Sequence, residues 1–240
     1  MFLSIIVTAH NEQARLPKTL ESINTYLETK SFLAEVIIID NASSDNTFTI
    51  ASDFAKQSPK FRVIQEFTRG KGAAVRTGML NAKGDWRFMC DADLSMPIDE
   101  IDKFIPNKFE GDIAIASREL PDSKRIDEPT KRHISGRIFN FFTRTLLLPQ
   151  IHDTQCGFKC FRGEVAEKLF RTQTINGWAF DVEILTLARL QNHDIFEVPI
   201  TLIYYGSSNI NLLKDSIDMA RQIFGIYIKY KILRRSNLSK

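Results

Sequence analysis

The chain has 240 residues, 43% of them hydrophobic and 25% charged, with a formal net charge of +3. That length holds one ordinary domain with a sizeable core; the apolar fraction excludes a disordered polymer, and three cysteines exclude a disulfide scaffold. The charge is divided: residues 1–120 carry 14 Lys+Arg against 17 Asp+Glu, and residues 121–240 carry 18 against 12, so an acidic front half and a basic rear half are expected to meet different things.

The opening residues, MFLSIIVTAHNE, lack a basic lead-in, and their apolar run is too short for a secretory signal. No apolar stretch approaches the roughly 18 residues of a spanning helix. Cys90, Cys156 and Cys160 read as reduced thiols and not as a zinc site. The expected location is cytosolic, or peripheral on the cytosolic face of a membrane.

Short apolar runs alternate with helical patterns in the front half, which predicts a parallel α/β layout. Strands are expected at Phe2–Thr8, Ala34–Asp40, Arg62–Phe67, Trp86–Asp91 and Ile113–Ser117. Helices are expected near Glu12–Leu27, Asp45–Gln57, Gly72–Ala82 and Ile98–Phe109. Leu16, Leu20, Ile23 and Leu27 share one face of the first. Asp45 is the expected N-cap of the second, and Ser58-Pro59 ends it. Pro121–Pro129 reads as a polar, mobile loop, and Thr130–Leu148 as a long amphipathic segment. A turn and strand follow at Asp153–Phe161, then helices near Gly163–Thr172 and Phe180–Asn192. A strand at Ile195–Tyr204 and a last helix from Asn211 toward Leu233 complete the chain. Residues 1–120, 121–208 and 209–240 are expected to divide into a regular α/β part, a less regular part of the same domain, and a basic amphipathic helix.

Ligands of open α/β sheets sit at the carboxyl ends of the strands. Three such ends carry acids: Thr8-Ala9-His10-Asn11-Glu12, Asp40 through Asp45, and Asp91-Ala92-Asp93. Each alone is also explained as an N-cap or turn residue. Together they predict one acidic rim. Residues i and i+2 of an extended strand share a face, so Asp91 and Asp93 are expected to hold one hard divalent cation, Mg²⁺ or Mn²⁺, with room for phosphate oxygens. Arg69-Gly70-Lys71-Gly72 opens a helix where backbone N–H groups could receive a phosphate, although it is not a Walker A loop.

IIVTAHNE, VIIIDNASSDNT, RGKGAAVRTGM, the DAD at 91–93, IASRE and HDTQCGFKCF recur in this order in the family 2 glycosyltransferases. Within them the chain resembles the dolichyl- and polyprenyl-phosphate sugar synthases, of the dolichyl-phosphate β-glucosyltransferase or mannosyltransferase type. WAFDVEIL at 178–185 supports the glucosyl branch. The resemblance implies a GT-A nucleotide-sugar fold with a mostly parallel central sheet. It implies transfer of a hexose from UDP-glucose or GDP-mannose to a polyprenyl or dolichyl phosphate, with inversion and metal assistance. It places Ala9, Asn11, Glu12, Asp40, Lys71, Asp91 and Ala92 against the nucleotide, and Asp93 on the metal, with Ser95 where some relatives have a second metal ligand. Arg118 corresponds to an arginine near the phosphates or acceptor. Asp153 joins Asp93 and Arg118 as a catalytic candidate, and Arg132 and Gln155 lie near the acceptor. Thr8 and His10 depart from the Pro and Tyr common in relatives. Small polar residues at Tyr205–Asn209 replace an expected lysine, with Lys214 following.

Thr130–Gln150 carries Lys131, Arg132, Arg137 and Arg144 with no acid, and Lys214–Lys240 carries seven Lys+Arg and two Asp among aliphatic and aromatic residues. Both patterns fit helices lying in a membrane interface, and equally two core or dimer helices with solvated charges. A soluble glycan or protein acceptor and a non-catalytic sugar-nucleotide-binding domain are the alternatives. Nucleic-acid binding ranks last, because no reading motif accompanies the basic residues.

Overall fold

The computed structural model describes residues 2–106, 108–129, 137, 140–204 and 218–230. Seven strands form one sheet in the order β3-β2-β1-β4-β7-β5-β8. These are β1 (Phe2–Ala9), β2 (Leu33–Asn41), β3 (Phe61–Glu66), β4 (Trp86–Asp91), β5 (Ile113–Ser117), β7 (Lys159–Arg162) and β8 (Ile195–Pro199). All run parallel except β7, which is antiparallel to both β4 and β5. The central strands read as continuous apolar runs because both of their faces are covered. Ile5, Val7, Val36 and Ile38 point into one core with α1 (Leu16–Glu28) and α2 (Thr47–Gln57). Ile6, Ile37 and Ile39 point into the other, with α3 (Lys71–Asn81), α5 (Gly163–Thr172), α6 (Phe180–Leu190) and α7 (residues 218–230); α4 spans residues 140–146. Each fully buried aliphatic side chain contributes about 1.5–3 kcal/mol.

Trp86–Asp91, Ile113–Ser117 and Gly163–Thr172 have the expected bounds. Leu16, Leu20, Ile23 and Leu27 are all buried. Ser58 adopts extended backbone before Pro59 and ends α2. Four expectations change. The helix expected over Ile98–Phe109 is a 3₁₀ turn, Ile98–Lys103, because Pro106 removes an N–H and collides with the preceding turn. The Pro121–Pro129 loop contains β6 (Lys124–Ile126), a polar strand with no periodic signal of its own, which pairs in parallel with β9 (Thr201–Ile203). The expected Ile195–Tyr204 strand therefore divides after Pro199, β8 staying in the main sheet and β9 joining β6. The first helix begins at Leu16, with Pro17 in its first turn. The expected terminal helix is described over residues 218–230. Arg132, Lys214 and Tyr205–Asn209 lie outside the described residues.

Candidate active site

Parallel register brings the acidic strand ends together: Ala9 pairs with Asp40, and Thr8 with Asp91. The loops beyond them are laced. Asn11 and Ala42 turn the chain sharply at φ 55° and 51°. The Asn11 N–H donates to Ser43 Oγ (3.0 Å), the Ser44 N–H to Asn11 Oδ1 (2.8 Å) and the Glu12 N–H to Thr47 Oγ1 (2.8 Å). His10 Nδ1 lies 2.6 Å from the Asn41 carbonyl and so carries the proton there. Asp45 accepts from the N–H groups of Thr47 (2.9 Å) and Gln13 (3.2 Å), which ties the start of α2 to the first loop. Asp40 is 1% exposed, and its Oδ1 has no hydrogen-bond partner among the described residues. A buried carboxylate oxygen left open is costly unless a ligand donates to it.

Asp91 ends β4 and Asp93 lies in the turn beyond, where Leu94 has φ 42°. The expected pairing of the two carboxylates along an extended strand is therefore replaced by a turn that separates their tasks. Asp91 is taken by Lys71, whose Nζ sits 2.8 Å from Oδ1 and 3.0 Å from Oδ2. Burial disfavours the charged lysine, but Asp91 and Asp181 outweigh it and raise its pKa; the Trp178 ring centroid lies 5.5 Å from Nζ. A Cβ on Gly157 would stand 2.3 Å from Asp91 Oδ2, so the carboxylate occupies the space a side chain would need. Ala92 is held from both sides, its N–H on the Thr8 carbonyl and its carbonyl on Thr19 Oγ1.

Asp93 Oδ1 accepts the Ser95 N–H at 3.0 Å, and its other oxygen has no described partner. Glu12 is held 2.6 Å from Arg15 through both oxygens. Burial raises the Glu12 pKa against Arg15, and Asp93 and Asp91 raise it further, so these carboxylates share one field. No three acidic or metal-ligating side chains cluster among the described residues. One open carboxylate beside a second suits Mg²⁺ or Mn²⁺, whose remaining ligands come from water and substrate phosphates.

The start of α3 has another use than the one expected. A Cβ on Gly70 would lie 2.2 Å from the Asn176 carbonyl oxygen, and one on Gly72 2.5 Å from that of Ile175. The Ala73 N–H donates to the Asn176 carbonyl (3.2 Å). These glycines admit the 175–176 backbone and close the helix end that was expected to receive a phosphate; Lys71 reaches the rim through Asp91. Glu183 secures that loop, accepting from the N–H groups of Thr174 (2.9 Å) and Ile175 (2.8 Å).

Beyond β5 the charges are paired. Asp153 is 0% exposed and takes Arg118 Nε (2.6 Å), Nη2 (2.9 Å) and backbone N–H (3.1 Å). Burial alone would raise its pKa, but the Arg118 charge and hydrogen bonds hold it well below the usual carboxylate range. The Gln155 N–H also donates to Asp153, at 3.2 Å. Glu197 on β8 accepts from His152 N–H (3.0 and 3.1 Å), His152 Nδ1 (2.7 Å) and Asp153 N–H (3.1 Å). Lys159 and Asp181, both almost fully buried, pair at 2.7 Å. Burial pushes the Asp181 pKa up against the pull of Lys159 and Lys71. Sequence reasoning missed Lys159, Trp178, Gly157 and Glu197. Glu197 had one signal, an acid inside an otherwise apolar strand.

The family described as "Glycosyl transferase family 2" matches residues 4–170. The dolichyl-phosphate beta-glucosyltransferase of Dictyostelium discoideum is 36% identical over 96% of this chain and 75% of its own length. The human protein of the same name is 30% identical over 95% and 75%. Among solved structures, Mycobacterium tuberculosis glucosyl-3-phosphoglycerate synthase in complex with uridine-diphosphate shares the fold, with a TM-score of 0.67 at 17% identity over 95% of this chain and 79% of that one. The same enzyme with Mn²⁺, uridine-diphosphate-glucose and phosphoglyceric acid superposes with a TM-score of 0.70 at 15% identity, over 95% and 79%. The expected GT-A-like architecture and the glycosyltransferase class are borne out.

Proposed function

The chain belongs to glycosyl transferase family 2, and from that premise we propose that it transfers glucose from UDP-glucose to a dolichyl or polyprenyl phosphate, inverting the anomeric centre. The donor binds the acidic rim: Asp40 Oδ1 accepts a base or ribose donor, and Ala9, Asn11, Glu12, Asp91 and Ala92 line the nucleotide. Asp93, which accepts the Ser95 N–H, would hold a divalent ion through its other oxygen. When bound, that ion neutralises the leaving diphosphate. Lys71 adds positive charge beside it.

One observation favours a phosphate acceptor: the acceptor-side carboxylate Asp153 is spent on a cation. It is enclosed by Arg118. A sugar hydroxyl needs a base to take its proton, whereas a phosphate monoester with a second pKa of about 6 arrives already ionised. Arg118 keeps Nη1 without a partner among the described residues, which suits an anionic nucleophile. Asp153 is then a positioning residue and not a base, and Gln155 and Arg132 contribute to the acceptor side.

The acceptor lives in a bilayer, and no helix among the described residues is long and apolar enough to cross one. Phe141 (65% exposed) and Phe142 on α4, with Phe224 (59%) and Ile228 on α7, present apolar side chains beside basic residues. This supports peripheral attachment to a membrane surface. Co-sedimentation with anionic liposomes that weakens with salt is the expected result; no binding at low salt would sink the attachment.

Transfer is tested with labelled UDP-glucose or GDP-mannose, Mn²⁺ and a short polyprenyl phosphate. Label from UDP-glucose in the lipid phase is expected. Turnover onto soluble glycans alone would overturn the acceptor assignment, and preference for GDP-mannose the donor assignment.

A further inference from the structure

Arg118 gains its position from a chain of contacts that begins on the far strand of the sheet. β5 ends at Ser117, and Arg118 follows directly. Its guanidinium cannot hold a fixed direction alone, because a long side chain loses roughly 1.5–2 kcal/mol of rotamer entropy on ordering. Asp153 supplies that direction through a two-toothed contact and a third bond to the Arg118 backbone. Asp153 stands in the irregular segment before β7, with no regular element to fix it. What fixes it is Glu197, which faces Ile115 in the β5–β8 register. The carboxylate of Glu197 collects the His152 and Asp153 N–H groups together with His152 Nδ1. The Glu197 side chain is 12% exposed, so these bonds are largely shielded from water.

We propose that Glu197 is a positioning residue for the transfer reaction, acting through the His152-Asp153 turn to aim Arg118 at the acceptor anion. This rests on the reading of Arg118 as the residue that meets the acceptor. Glu197 touches neither substrate, so its loss should leave the donor half intact. A misplacement of about 1 Å at a reacting group costs up to about a hundredfold, and the acceptor half alone should register it.

The test uses the full chain with labelled UDP-glucose, Mn²⁺ and a short polyprenyl phosphate, each substrate varied in turn, and UDP–Mn²⁺ affinity measured by calorimetry. Glu197→Gln keeps the shape but turns an amide N–H₂ toward backbone N–H groups; Glu197→Asp keeps the charge but is shorter. The expected result is a tenfold to hundredfold loss of acceptor kcat/KM in Glu197→Gln, UDP–Mn²⁺ affinity within about twofold of the parent, and a larger recovery in Glu197→Asp. A packing role reverses that order, because Gln fills the space better. Arg118→Ala is measured beside them, alone and combined with Glu197→Gln. A double variant no slower than Arg118→Ala supports action through Arg118, and additive losses overturn it. Glu197→Gln at the parent rate, or losing donor affinity and acceptor turnover equally, also overturns it. Arg118→Ala at the parent rate removes the underlying reading of Arg118, which separates that failure from the failure of Glu197 alone.

Discussion

The two sides of the rim differ in how far their carboxylates are consumed. At the ends of β1, β2 and β4, Glu12 and Asp91 are paired with Arg15 and Lys71, but oxygens of two other acids are left open: Asp40 Oδ1 has no described partner, and Asp93 gives one oxygen to Ser95 and keeps the other. Beyond β5 the oxygens are consumed: Asp153 is enclosed by Arg118 and the Gln155 N–H, and Glu197 by the His152-Asp153 turn. Burying an acid without partners costs free energy that only a ligand recovers, whereas burying it with partners fixes a neighbour. Open acids therefore mark where a substrate or metal arrives, and closed ones mark what must not move. Composition alone treats all of them as charge.

The largest expected effect tests the open side. Asp93→Ala should lower lipid-phase transfer by about a thousandfold or more, since metal-borne charge stabilisation amounts to several kcal/mol, with a thermal midpoint near that of the parent. An active Asp93→Ala would erase the contrast. On the closed side, Asp153→Asn leaves the Arg118 charge buried without its counter-ion and should cost about 3–5 kcal/mol by urea unfolding near neutral pH. Because Arg118 lowers the folded-state pKa of Asp153, the stability this acid contributes is fully present above the unfolded value of about 3.9 and is lost as pH falls toward the folded one. The gap between parent and variant should stay constant from about pH 7 to pH 5 and narrow only below about pH 4.

A smaller change tests whether the sides meet. Gly157 comes from the segment after Asp153 but leaves space for Asp91 on the other side, so Gly157→Ala must displace that carboxylate. We expect about tenfold weaker UDP–Mn²⁺ binding by calorimetry, for about 1–3 kcal/mol of overpacking cost; unchanged binding would make the two sides independent. The smallest is Thr47→Val, which strands the buried Glu12 N–H. It should destabilise the fold by about 1–2 kcal/mol and loosen donor binding without altering acceptor KM.

The Glu12, Asp40 and Asp91 strand ends were legible because each closes an apolar run, and parallel strands must end at the same edge. The RGKG segment was legible as a helix start. Its purpose was not, because the carbonyls of residues 175 and 176 that approach its glycines come from about a hundred residues away. Asp153 could be singled out only by resemblance, and Glu197 only as an acid inside an otherwise apolar strand, a local signal that does not distinguish an acid that holds a turn from one that faces water. Pro106 and Pro199 are breakers visible in the sequence that outweigh the apolar pattern around them.

By itself, the order of apolar runs, polar strand ends and helical stretches determined an α/β chain with an acidic rim, because periodicity and strand polarity are local properties repeated along the backbone. Only the tertiary structure decided which acids stay open and which are consumed. That depends on what a carboxylate meets from elsewhere in the chain: Lys71 at Asp91, Arg118 at Asp153, Lys159 at Asp181, a turn at Glu197. Ion pairing and desolvation act over a few ångströms in space, whatever the separation in sequence.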